Sequence, residues 1–98
     1  MTDTIVIIAE SQAAAGQAER VRKLFTDLID RTRAEDGCLR YELFRGRDDD
    51  HRFILMEEWR DQAALDAHLA SEHIAAFFRE VMALLAEEGR MTYASRIA

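Results

Sequence analysis

The run "TIVIIAE", Thr4 to about Glu10, is β-branched and apolar, with no alternation between its two faces. Such a run reads as a strand, and a strand apolar on both faces has to be covered on both. "FILM", Phe53 to Met56, makes the same demand. A sheet with helices on one side and water on the other would alternate apolar and polar residues instead. In a chain of 98 residues, helices can cover one face, and a second copy of the chain is the expected cover for the other. The result is a homodimer with two sheets packed face to face. Left bare, that face would be an aggregation hazard. Val6 and Ile7 point to opposite faces, so one of the two is expected against the partner.

The remaining segments supply the helices and the other strands. After "SQAAAG" turns the chain, Val21, Leu24, Phe25, Leu28 and Ile29 recur at helical spacing from Gln17 onward, and Gly37 stands where a helix should stop. "CLRYELFRG" and "HRFILMEEWR" flank the polar "RDDD" and read as a β-hairpin. Leu39, Tyr41 and Leu43 are expected on one face of its first strand. On the second strand, Phe53, Leu55, Glu57 and Trp59 share a face opposite Ile54, Met56 and Glu58. Asp61 can cap a short helix holding Ala64, Leu65, His68 and Leu69. Ser71 can cap another holding Ile74, Phe77, Phe78, Val81, Met82 and Leu85, closed by Gly89. "RMTYASRIA" reads as a last strand. The order β-α-β-β-α-β is the ferredoxin-like, split βαβ arrangement of the α+β class, with its second helical region broken in two. Residues 1–98 form a single domain on this reading.

Charge and composition narrow the function. With 49% hydrophobic and 33% charged residues the chain is globular rather than disordered. A net charge of -6, with the basic residues interleaved among acids, disfavours nucleic acid as a partner. The lone Cys38 excludes an internal disulfide, and its place after Gly37 suits a small buried residue better than a nucleophile. The apolar start is too short to span a bilayer, so no membrane role and a cytoplasmic location are expected. Neither a glycine-rich dinucleotide fingerprint nor an HExxH motif is present, so no cofactor and no metal are expected. The crowded "DDDH", Asp48 to His51, reads as a solvated turn.

"EEWRDQAALDAHLASEH", Glu57 to His73, holds the only tryptophan and two of the three histidines. His68 follows Ala64 and Leu65 by one helical turn and should project inward. His73 lies in the first turn of the next helix, where N–H groups favour a neutral imidazole or a bound anion. Either histidine can instead be structural, satisfying backbone groups at the helix junction. Trp59 can wall a pocket for a flat ring or serve as core. Glu57, a carboxylate among Phe53, Leu55 and Trp59, is costly to bury unpaired. It can pair with Arg33 or Arg40, orient a histidine, or lie at an exposed strand end. Tyr41 can donate to a substrate oxygen. Phe77, Phe78 and Met82 form a helix face that is core or pocket lining.

"TRAEDGCLRYELFR" and "FILMEEWRDQAALDAHLASEHIAAFF" resemble the antibiotic biosynthesis monooxygenase (ABM) family, in its small stand-alone quinol-monooxygenase-like branch. The sharpest part is Gly37-Cys38-Leu39, Tyr41, Glu57, Trp59, Ala64-Leu65, His68 and His73, in that order and spacing. Asp36 and Glu72 depart from the prolines common before Gly37 and His73. The resemblance implies a dimeric α+β barrel and a cofactor-independent monooxygenase, an oxidoreductase that oxidises a quinol or polycyclic phenol with molecular oxygen. It implies catalytic roles for His68, as base, and His73, as orienting or anion-binding group, with Trp59, Glu57, Tyr41 and Phe77 binding the aromatic substrate. The alternatives are a proton-transfer isomerase of a small carbonyl compound and a non-catalytic dimeric ligand-binding protein. Haem degradation is disfavoured, because no histidine has an axial-ligand context.

Overall fold

A computed structural model describes residues 3–98. Four antiparallel strands, β1 (Ile5–Gln12), β2 (Cys38–Arg45), β3 (Arg52–Trp59) and β4 (Arg90–Ala94), form one sheet in the order β2-β3-β1-β4. Three helices, α1 (Ala18–Arg33), α2 (Gln62–Leu69) and α3 (Glu72–Val81), complete the ferredoxin-like α+β fold. Helix α1 buries Val21, Phe25, Leu28 and Ile29 of the stripe its spacing predicts, leaves Leu24 half-buried, and adds Thr32, which the apolar pattern did not include. Phe25 packs on Phe53 of the sheet and on Phe77 of α3, with ring centroids 5.9 and 4.9 Å apart. That junction ties both long helices to one sheet face.

β3 alternates as expected: Phe53, Leu55, Glu57 and Trp59 are buried, while Ile54, Met56 and Glu58 are not fully so. Cross-strand pairing carries the inner face through Ile7, which opposes Glu57, and through Tyr41, which opposes Glu57 on the other side. The outer face carries Val6 and Ile8 of β1, Ile54 and Met56 of β3, and Phe44 of β2, which is 47% exposed. Ile7 is core, so Val6 and Ile8 are the residues of "IVII" on the face away from the helices.

The expected layout needs five corrections, the first being that β4 ends at Ala94 rather than running on through Ala98. β1 runs on through Ser11 and Gln12, because those residues find Phe53 and Arg52 as ladder partners. Leu39 does not share the face of Tyr41: the register shifts between Cys38 and Arg40, and Leu39 is left 52% exposed. Helix α1 stops at Arg33, before Gly37, whose φ of 90° turns the chain into β2. Helix α3 stops at Val81, well short of Leu85 and Gly89. A 3-10 turn, Met82–Leu84, follows, and Leu85 is extended and bridges Ala13. There Ala14 donates to the Leu84 carbonyl and Ala86 to the Gln12 carbonyl, both at 2.8 Å. Backbone groups that a longer helix would have used internally are satisfied across the fold.

Both expected helix caps are present. Asp61 accepts a hydrogen bond from the Ala64 N–H at 2.9 Å, and Ser71 accepts one from the Ile74 N–H at 3.4 Å. Ser71 also donates to the His68 carbonyl at 2.7 Å, locking α2 to α3 at their junction. That junction carries both histidines.

Candidate active site

Three elements converge on a cavity of about 220 Å³ between the inner sheet face and α3. Its walls are mainly apolar, with Leu28, Leu55, Ile74 and Phe77 among them. Tyr41 from β2, Glu57 from β3 and His68 from α2 supply the polar groups on its inner side. Leu69, Phe78, Met82 and Met91 line the cavity and are also exposed, which marks its mouth.

His68 is 1% exposed. Its Nδ1 lies 2.7 Å from Oε2 of Glu35, in the turn between α1 and β2. A carboxylate accepts, so Nδ1 carries the imidazole proton and Nε2 keeps its lone pair. Nε2 has no hydrogen-bond partner among the described residues. Burial pushes the His68 pKa below its ordinary 6.5, and the neighbouring His73 pushes the same way; the Glu35 hydrogen bond and charge oppose them. The ring is therefore a neutral imidazole at pH 7, oriented by Glu35 and ready to accept a proton.

Glu57 is 4% exposed and has no arginine partner. Arg33 donates instead to the Tyr41 carbonyl, through Nε at 3.0 Å and Nη2 at 2.8 Å, and Arg40 pairs with Glu42. The partner of Glu57 is Trp59, whose indole N–H donates to Oε1 at 2.9 Å. One neutral donor does not offset the lost hydration of a carboxylate. Burial pushes the Glu57 pKa up to about 7, aided by the charge of Glu35 and opposed by the Trp59 hydrogen bond. Tyr41 is held as a neutral phenol, its pKa raised by burial and then by the charge of Glu57.

The Glu57–His73 stretch does converge, but in layers. Trp59, at 0% exposure, is not on the cavity wall. It lies behind His68, rings 4.5 Å apart and inclined by 31°, and braces both His68 and Glu57. His73 is also off the wall. Its Nε2 sits 3.2 Å from the same Glu35 oxygen, outside the geometry a hydrogen bond requires, and is buried without a hydrogen-bond partner among the described residues. Phe77 is on the wall, as are Phe78 and Met82. The residue that sequence reasoning missed is Glu35. An acid two positions before a glycine turn looks solvated, and nothing in the spacing links it to a histidine 33 residues on.

Other proteins share this architecture. The family model described as "Antibiotic biosynthesis monooxygenase" matches residues 4–80. A relative from Mycobacterium tuberculosis named "Putative monooxygenase Rv0793" is 34% identical over 85 residues, which make up 87% of this chain and 83% of that one. The solved structure of Rv0793 superposes with a TM-score of 0.92, covering 97% of this chain and 96% of that one. The crystal structure of PA3566 from Pseudomonas aeruginosa superposes with a TM-score of 0.93 at 39% identity, covering 100% and 98% of the two chains.

Proposed function

Because this chain belongs to the antibiotic biosynthesis monooxygenase family, we propose that it oxidises a quinol or polycyclic phenol with molecular oxygen, without a cofactor, as a homodimer. The observation that carries this reading is the Glu35-oriented, neutral His68 on the wall of an apolar cavity. Triplet oxygen reacts slowly with closed-shell molecules, but a quinol that has lost a proton can donate an electron to it. His68 Nε2 takes the phenolic proton, and the phenolate gives one electron to oxygen. The resulting radical pair combines at a ring carbon. Loss of water from that adduct, with His68 returning its proton, leaves a hydroxyquinone. Hydroquinone plus oxygen thus gives hydroxyquinone plus water, and all four electrons come from the substrate. Tyr41 supplies a neutral hydrogen-bond donor and Phe77 a flat apolar contact. The apolar walls keep water from the intermediates.

The test is oxygen uptake by chelator-treated protein with an easily oxidised quinol, corrected for the protein-free rate. His68→Gln is expected to lower the protein-dependent rate roughly 10²-fold, and full activity in that variant would refute the base assignment. A second reading, proton-transfer isomerisation of a small carbonyl compound, draws on Glu57. It is a second acid–base group on the same cavity, with a pKa near 7. Conversion at an equal rate without oxygen would favour it.

A further inference from the structure

We infer that Glu35, His68 and His73 form a binding site for a divalent transition-metal ion of the zinc or cobalt kind. One ligand atom from each residue, Glu35 Oε2, His68 Nδ1 and His73 Nε2, lies within 4.8 Å of the other two. Glu35 Oε2 is 2.7 Å from His68 Nδ1 and 3.2 Å from His73 Nε2. With metal–ligand bonds of about 2.1 Å, such separations subtend roughly 80–100° at a shared ion, the angles between neighbouring ligands on one face of a metal centre. The second observation is the His73 nitrogen itself. It is buried and, among the described residues, meets no hydrogen-bond partner in usable geometry, the partner that a buried polar atom normally has. An ion between the three groups would supply that partner and balance the half-buried Glu35 carboxylate. Two imidazoles and one carboxylate suit a borderline-soft divalent ion, and leave open positions for water. Glu35 and His73 are each partly exposed at the side chain, so an ion can arrive from solvent.

Binding has a chemical consequence for His68, which rests on the oxygenase reading. An ion on Nδ1 displaces the proton there, and the neutral ring then carries its one proton on Nε2. The nitrogen that would accept the phenolic proton becomes a donor. The metal form is therefore inactive as a base, and the ion acts as an inhibitor of turnover rather than its cofactor.

The experiment titrates chelator-treated full chain with Co²⁺, following the visible absorption of bound cobalt and the fluorescence of Trp59, the only tryptophan. A paramagnetic ion on His68 quenches an indole whose ring centroid lies 4.5 Å from that of the imidazole. One ion per chain is expected, with quenching. Affinity should fall at least about 10-fold in Glu35→Gln and in His73→Gln, and be unchanged in His51→Ala. The last variant guards against the Asp49, Asp50 and His51 cluster in the hairpin turn, whose two carboxylates are exposed. Absence of quenching at millimolar cobalt, or quenching that survives both site variants, or quenching lost in His51→Ala, overturns the site. Circular dichroism of each variant confirms that it is folded before its titration is scored. These readouts need no substrate, so the metal site and the oxygenase reading fail separately.

Discussion

At the scale of single residues, Glu35 and Glu57 are two carboxylates with opposite duties. Glu35 orients His68 and, by its hydrogen bond and then its charge, holds the His68 pKa higher than burial alone would leave it. Glu35→Gln is therefore expected to lower quinol turnover about 10-fold through lost orientation, and to move the acid limb of the pH–rate profile to lower pH. That limb should lie below 6.5 in the wild type, because the neutral imidazole is the active form and its pKa is depressed. A limb that moved to higher pH in the variant would contradict the assignment. Glu57 acts on stability. Its carboxyl prefers the protonated form in the folded chain, so the native state loses stability as pH rises from the ordinary 4.5 toward about 7. The loss amounts to up to about 3 kcal/mol. Glu57→Gln removes that titration and keeps an acceptor for Trp59, so denaturant unfolding at pH 5 and pH 8 should show a smaller difference than in the wild type. Sequence reasoning reached Glu57 because a carboxylate stood out on an apolar strand face. It could not choose between Arg33, Arg40 and Trp59 as the partner, since that choice depends on where long side chains go. Glu35 was out of reach, because only the folded turn brings it to His68.

At the scale of elements, the α1–β2 turn is the most demanding joint. Gly37 adopts a φ of 90°, and a Cβ there would overlap the Cβ of Ala64 in the first turn of α2. Gly37→Ala is expected to cost about 2–3 kcal/mol, from the left-handed backbone and from pushing α2 off the turn that holds Glu35. A denaturation midpoint equal to the wild type would show that the turn relaxes freely. The elements themselves were legible: a β-branched apolar run placed β1, strand-like runs around a polar turn placed the hairpin, helical spacing placed α1, and Asp61 and Ser71 marked the starts of α2 and α3. The ends were less so. Ser11 and Gln12 look like turn residues until Phe53 and Arg52 arrive as partners, and Leu85 looks helical until Ala13 claims its backbone. Distant pairing overrode local preference at both places.

At the scale of the whole molecule, no helix among the described residues is long and apolar enough to cross a membrane. The sheet face away from the helices carries Val6, Ile8, Ile54, Met56 and Phe44. Two such faces packed together give the proposed homodimer, and light scattering should return about twice the 11.3 kDa chain mass. Ile8→Glu places a charge in the middle of that contact and is expected to dissociate the dimer or to precipitate the chain. A wild-type monomer that stays soluble at micromolar concentration would rule the assembly out. The strand order carries a further consequence, for synthesis. β1 is made first but lies between β3 and β4, with Val6 paired to Ala94 on one side and to Glu58 on the other. While α1 and the hairpin assemble behind it, β1 keeps one row of backbone donors and acceptors bare, beside the most apolar run in the chain. Such an edge recruits strands from neighbouring nascent chains. The edge closes only when β4, the last strand made, pairs with it.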